Sequence, residues 1–242
     1  MKINYTSKKT KTIVIIGLFT ALSFVVSVVL PIKVSFLTLD FKDAISTICG
    51  MFFGPIAGLV CAFIVPFIEV TYSDTGFYGL VMNIISSATL VGISSVIYKY
   101  KKTISGAIIG LVTAAAATMG IMTLANILIT PYFLKLTMGM ELEVARSTVR
   151  ALLPTTIIPF NIVKSILNAS IAMLLYKPIS RMLKKIGLTS SKKAVENVEE
   201  EAREEVVIKN NKVRSVLVTV VSAAIIVAAF IVVFVVLGGT FV

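Results

Sequence analysis

The 242-residue sequence contains no histidine. That removes the commonest metal ligand and the commonest general base together. Cysteine is almost absent: Cys49 and Cys61 are the two present, each set in an apolar run. That placement suits packing better than a disulfide or a metal pair. Charge is scarce too, at 14% of residues, against about 25% in a soluble domain. No Gly-x-x-x-x-Gly-Lys-Ser/Thr loop occurs, so this chain does not hydrolyse ATP by that route. Gly-x-Ser-x-Gly, His-Glu-x-x-His and Cys-x-x-Cys are also missing, which leaves no recognisable hydrolase, zinc-protease or thiol-redox centre. There is no internal repeat of the kind that marks many secondary transporters.

What is present is apolar. Hydrophobic residues make up 57% of the chain and the mean hydropathy is +0.98, so the surface is built to face lipid. A spanning helix needs roughly 20 mainly apolar residues. Six segments form a candidate core, at 12–30, 44–53, 55–72, 77–98, 104–129 and 154–176. The first is too long for the apolar part of a signal peptide and lacks a small-x-small cleavage site, so it is expected to be retained. The second is too short to cross the bilayer by itself. It is expected to start within the mixed stretch 32–43 or to penetrate only partway. Gly54-Pro55 reads as a turn, Ser73 to Gly76 as a loop, and 130–153 as a longer connection. The chain thus divides into a membrane core at 1–187, a charged linker at 188–213 and an additional transmembrane helix at 214–242. The linker, with Glu199 to Glu201 and Glu204-Glu205 among basic residues, reads as a solvated helix or a disordered tether. The last helix reads as a lipid-facing anchor, and truncation after about Gly187 is expected to leave ligand binding intact.

The net charge of +11 would suggest nucleic acid on a soluble protein. Here it follows from the excess of Lys and Arg in cytoplasmic loops. With a cytoplasmic N-terminus and alternating segments, 17 basic residues fall inside and 5 outside. The expectation is a multi-pass protein of a bacterial plasma membrane with its C-terminus outside.

Polar groups inside such segments are costly unless they meet a partner, water or a ligand. Lys164 lies ten residues into the sixth segment, with Asn161 and Asn168 on the same helical face. Asn126, Asn83 and Glu69 lie toward the outer ends of their segments, and Asp40 and Asp43 flank the start of the second. Together they point to an outward-facing polar cavity. The plainer alternative is that Lys164 pairs with Glu69 or Asp43 and merely ties helices together. Gly17 and Ala21 form a small-xxx-small pair that lets another helix approach, either within the core or from a partner subunit.

Four stretches, in this order, give the chain a family likeness. They are Leu37-Thr38-Leu39-Asp40-Phe41-Lys42-Asp43, then Gly54-Pro55-Ile56-Ala57-Gly58, then Asn126 with Thr130-Pro131-Tyr132, and Pro159-Phe160-Asn161-Ile162-Val163-Lys164. Over about residues 10–185 the sequence resembles the S components of energy-coupling factor (ECF) vitamin transporters, the riboflavin-specific type above all. Gly79-Leu80-Val81-Met82-Asn83 is a partial match, lacking an acidic residue that the family often has there. The resemblance implies an all-α integral membrane protein with a six-helix S-component core, here followed by the extra helix. It implies that Thr38, Leu39 and Asp40 close over the ligand, and that Asn161, Lys164 and Asn126 bind it. Glu69 and Asn83 join them as candidate contacts. It further implies that Gly17 and Ala21 meet a transmembrane coupling subunit, which works with two ATPase subunits. Riboflavin would be transported cargo, with no metal or covalent cofactor. Phe36, Phe41, Tyr132 and Phe160 are the aromatic candidates for packing on a flavin ring. Three alternatives stay open: another vitamin (folate, thiamine, pantothenate or a queuosine precursor), a stand-alone ion-coupled carrier, or a membrane enzyme whose catalytic group is not recognisable.

Overall fold

A computed structural model describes residues 5–185 and 201–241. Five stretches are long and apolar enough to cross a membrane: Thr12–Val29, Gly76–Tyr100, Ile104–Met138, Leu142–Leu183 and Val216–Val236. They belong to α1 (Tyr5–Val29), α4 (Gly76–Tyr100), α5 (Ile104–Met138), the joined pair α6 (Leu142–Leu152) and α7 (Ile158–Lys185), and α8 (Glu201–Ile231). Between α1 and α4 lie two shorter helices, α2 (Lys42–Phe53) and α3 (Pro55–Glu69).

At 1.5 Å per residue, α2 and α3 reach only about 18 and 22 Å, short of a hydrocarbon core of about 30 Å. Ten consecutive residues of α2, Lys42 through Met51, are buried. It is therefore an internal helix, packed among α1, α3, α4 and α7. Gly54, at φ +105°, makes the tight reversal into α3, and Pro55 starts that helix where no backbone donor is needed. The reversal presses the two helices together: a Cβ on Gly58 would lie 2.6 Å from the Cα of Gly50.

The mixed stretch before α2 folds as a hairpin of β1 (Ile32–Val34) and β2 (Leu37–Leu39), with Val34 opposite Leu37. Its two-residue turn places Ser35 at φ 56°, the left-handed geometry that tight hairpins favour. Ile32, Val34 and Leu39 are almost fully buried on one face of the hairpin. Strand alternation turns Lys33 and Thr38 to the opposite face. A short strand β3 (Thr240–Phe241) adds to the free edge of β1, giving the order β2-β1-β3.

Several boundaries differ from the sequence expectation. Helix α5 continues to Met138 instead of stopping near residue 129, carrying Pro131 inside it. The connection expected at 130–153 is largely helical, because α6 presents a charged face and buries Ala145 and Val149. A π-helical turn, Leu153–Ile157, absorbs Pro154 and feeds α6 into α7. Helix α8 begins at Glu201, inside the expected linker, whereas residues 186–200 lie outside the described residues. The hairpin, β3 and the Ser73–Asp74 loop all gather at one end of the bundle, joined by the β1–β3 pairing and a Lys33–Asp74 ion pair. That agrees with the alternation of segments used to count basic loops.

Candidate functional site

At that end the hairpin roofs a cavity of about 480 Å³, within the range of about 300–1,000 Å³ typical of small-molecule sites. Its apolar walls include Phe36, Met82, Met122, Tyr78 and Phe160. Its polar lining includes Thr38, Asp40, Lys42, Asn83, Asn161 and Lys164. The short reach of α2 creates this space. Its N-terminus stops below the hairpin and carries Lys42 and Asp43 into the bundle.

Asp40 is the hub. Its Oδ2 accepts from Lys164 Nζ at 3.0 Å and from Lys42 Nζ at 3.2 Å. Lys42 also donates to Glu69 Oε2 at 2.5 Å, and Asn83 Nδ2 donates to the same oxygen at 3.1 Å. Lys164 adds a bond to the carbonyl of Thr38 at 3.2 Å, which ties α7 to the roof. Asn168 donates to the Asp40 carbonyl at 2.9 Å and accepts from the Ala44 N–H at 3.0 Å, fixing the junction of hairpin and α2. Ser87 donates to Asp43 beneath this layer.

Asp40, Lys42 and Lys164 are each at least nine-tenths buried. Such charges persist only when paired, because desolvation costs several kcal/mol per ion. Burial raises the Asp40 carboxyl, but Lys164 and Lys42 more than offset it and hold the group below the ordinary carboxylate range. Asp40 Oδ1 is buried with no hydrogen-bond partner among the described residues. An unpaired buried carboxylate oxygen beside a cavity is an acceptor waiting for a donor. At the rim Lys33 pairs with Asp74, whose carboxyl is lowered by that hydrogen bond and charge.

Of the residues singled out from sequence, Thr38, Asp40, Glu69, Asn83, Asn161 and Lys164 line the cavity. Leu39 and Asn126 do not. Leu39 sits on the buried apolar face of β2. Asn126 is fully buried within α5, donating to the Met122 carbonyl at 2.8 Å and accepting from Thr130 Oγ1 at 3.0 Å. Lys164 pairs with Asp40, not with Glu69 or Asp43; it is Lys42 that takes Glu69. Phe36 and Phe160 line the cavity, whereas Phe41 packs against Phe230 of α8 and Tyr132 is half exposed. Lys42 is the main cavity-lining charge that sequence reasoning did not single out. Its signal was present: a lysine between Asp40 and Asp43 at the start of an apolar helix needs a partner. Gly17 and Ala21 lie on an exposed face of α1, and a Cβ on Gly17 would meet nothing within 4 Å. Among the described residues nothing packs against a Cβ at Gly17, and Ala21 is exposed on the same face.

A membrane-embedded helical bundle with a roofed, polar-anchored cavity is the architecture of a membrane substrate-binding protein. Residues 11–176 match the family model described as "ECF transporter, substrate-specific component", and the chain belongs to that family. Among curated proteins it is 28% identical over 185 residues to the riboflavin transporter RibU of Staphylococcus aureus (strain TCH60), covering 74% of this chain and 95% of that protein. A solved chain from work on the structure and mechanism of the S component of a bacterial ECF transporter superposes with a TM-score of 0.59 at 27% identity. That match covers 73% of this chain and 99% of the solved one. This chain is thus a transport subunit that binds substrate in the membrane.

Proposed function

We propose that the chain binds riboflavin in the roofed cavity and delivers it as the substrate-specific subunit of an ATP-driven importer. The observation that carries this reading is the charge state of the cavity. Each lysine that lines it is already matched: Lys164 and Lys42 to Asp40, Lys42 to Glu69, and Lys33 to Asp74. Among the described residues that line the cavity no cation is left over for a phosphate or a second carboxylate, so the site suits an uncharged polar ligand. Riboflavin is one, with a flat ring for the apolar walls and imide and hydroxyl groups for the anchors. The likeness to a riboflavin transporter supports the same ligand.

Asp40 Oδ1 accepts a hydrogen bond from the imide or a ribityl hydroxyl. Asn161, whose amide donates to the Ile157 carbonyl at 2.9 Å, offers its own carbonyl oxygen. The N-terminus lies in the cytoplasm, the cavity opens to the outside, and the C-terminus emerges there, in line with the distribution of basic residues. ATP hydrolysis falls to two partner ATPases through a coupling subunit that docks on the Gly17–Ala21 face of α1. Ligand binding itself only selects a state of this chain.

The test is fluorescence quenching by purified protein with riboflavin and with its 5′-phosphate. Tight quenching by riboflavin and much weaker binding of the phosphate are expected. Absence of riboflavin binding, or preference for another vitamin in a thermal-shift panel, overturns the assignment.

A further inference from the structure

The family match ends at residue 176, yet the part of the chain beyond it reaches the roof of the cavity. From Val216 onward helix α8 is largely exposed, at Val216, Leu217, Val220, Val221 and Val227. Near its C-terminal end this changes. Ala229 and Val233 are buried in the same apolar cluster as Ile32, Val34, Leu37 and Leu39 of the hairpin. Phe230 packs on Phe41 with ring centroids 6.0 Å apart. The helix then closes through a π-helical turn, Val232–Val236, and Gly238 at φ +63° turns the chain back. That reversal sets Thr240 opposite Lys33 and Phe241 opposite Ile32. Gly239 is the point of closest approach: a Cβ there would lie 2.7 Å from Val233 Cγ1 and 3.1 Å from Ile32 Cγ2.

Lipid could cover the apolar face of the hairpin as well as protein does. What lipid cannot do is pair the free edge of β1. The partner supplied is β3, so the edge of β1 that would otherwise be open is closed from within the chain. Because β1 sits between β2 and β3, moving the roof requires either carrying α8 along or breaking the β1–β3 pairing. The same movement breaks the Lys164 bond to the Thr38 carbonyl.

We propose that α8 and β3 form a built-in brace on the roof hairpin and set the rate at which ligand leaves the cavity. This extends the proposed function and reverses the expectation that residues beyond 187 are dispensable for binding.

The test uses the full chain. In Gly239→Val the added side chain wedges β3 away from Ile32. Riboflavin dissociation, followed by fluorescence recovery, is expected to speed up about tenfold, the equivalent of one or two backbone hydrogen bonds. In the double variant Lys33→Cys/Thr240→Cys, oxidation is expected to slow release relative to the same protein reduced. That comparison stands even if Gly239→Val does not fold. Val235→Ala, at an exposed position of the π-helical turn that follows α8, is expected to change nothing. Release rates within twofold of each other for oxidised and reduced protein overturn the brace. If the unaltered protein binds no riboflavin, the assignment of ligand fails instead. The brace is then read from hydrogen exchange at residues 32–39, faster in Gly239→Val if it holds and unchanged if it does not.

Discussion

Replacing Asp40 by Asn changes one charge and almost no volume, and it separates the two duties of this residue. The carboxylate holds Lys164 and Lys42 through Oδ2 and leaves Oδ1 without a partner among the described residues. Hydrogen bonds to charged groups contribute about 1.5–3 kcal/mol, and neutral ones about 1 kcal/mol. Each lysine contact should therefore weaken by about 1 kcal/mol. The amide oxygen will face the two lysines, which puts the NH2 where Oδ1 stood. A ligand donor then meets a donor, losing the charged hydrogen bond and leaving one group unpaired. The combined loss in binding is about 2–4 kcal/mol, or about 30-fold to 1,000-fold in Kd. Flavin fluorescence titration of the protein in nanodiscs measures it. Asp43→Asn is the control. It also removes a buried carboxylate, but one that bonds Ser87 and does not line the cavity, and its Kd should move far less. A folded Asp40→Asn protein with Kd within about threefold of the original would refute a direct contact. Equal losses in both variants would reassign the effect to net charge. The pH dependence has a definite sign. The folded Asp40 group is lowered below its unfolded value, so its contribution is full above about pH 4 and is lost only as pH falls below that, through the folded value. Titration of Asp40 should thus leave binding flat from about pH 8 to pH 5.

Lys42→Met should destabilise the protein by about 3–5 kcal/mol, since it strands Glu69 and part of Asp40 without their cation. Adding Glu69→Gln, whose amide oxygen still accepts from Asn83, should restore most of the loss in thermal denaturation; strictly additive losses would count against the pair. Gly58→Ala should cost about 1–3 kcal/mol or more by the same measurement, because its Cβ meets backbone at Gly50 that cannot swing aside. Gly17→Leu should leave stability and riboflavin affinity unchanged, as no described residue lies within 4 Å of a Cβ there. Its expected effect is loss of ATP-driven uptake in vesicles carrying the coupling subunits; normal uptake would remove this face as the docking site.

The hydropathy pattern located every long helix because bilayer thickness imposes a length on apolar runs. Lys164 and Asp40 were legible for a related reason: a charge inside such a run needs a partner or a ligand. The partners themselves were not legible. Sequence offered Glu69 or Asp43 as the partner of Lys164, and only the turn of β2 into α2 brings Asp40 to it. Asn126 shows the converse. A buried asparagine looks like a ligand contact until its amide is found bonded within its own helix, donating to the Met122 carbonyl and accepting from Thr130. The hairpin was hidden because its strands are three residues each. The alternation in Ile32-Lys33-Val34 and Leu37-Thr38-Leu39 is clear only once the Ser35–Phe36 turn is known.

The short helices explain why a cavity can exist here at all. A bundle of full-length helices fills the membrane with packed side chains. A 12-residue α2 reaches about 18 Å, short of a core about 30 Å thick, so it leaves part of the bundle's length unfilled. Irregular backbone is tolerated at that depth only against protein or a polar cavity. The hairpin meets both conditions at once. One face, Ile32, Val34 and the facing Leu39, joins an apolar cluster with α5, α6, α7 and the end of α8, and its other face, with Lys33 and Thr38, lines the cavity. The roof, the polar anchors and the outer end of α8 are therefore consequences of one feature, the early stop of α2. Lengthening α2 at its N-terminus by a turn, with Ala-Ala-Leu-Ala inserted before Asp43, should fill the cavity and abolish ligand binding while the long helices still form. Retained riboflavin affinity in that insertion variant would show that the cavity does not depend on the helix ending where it does.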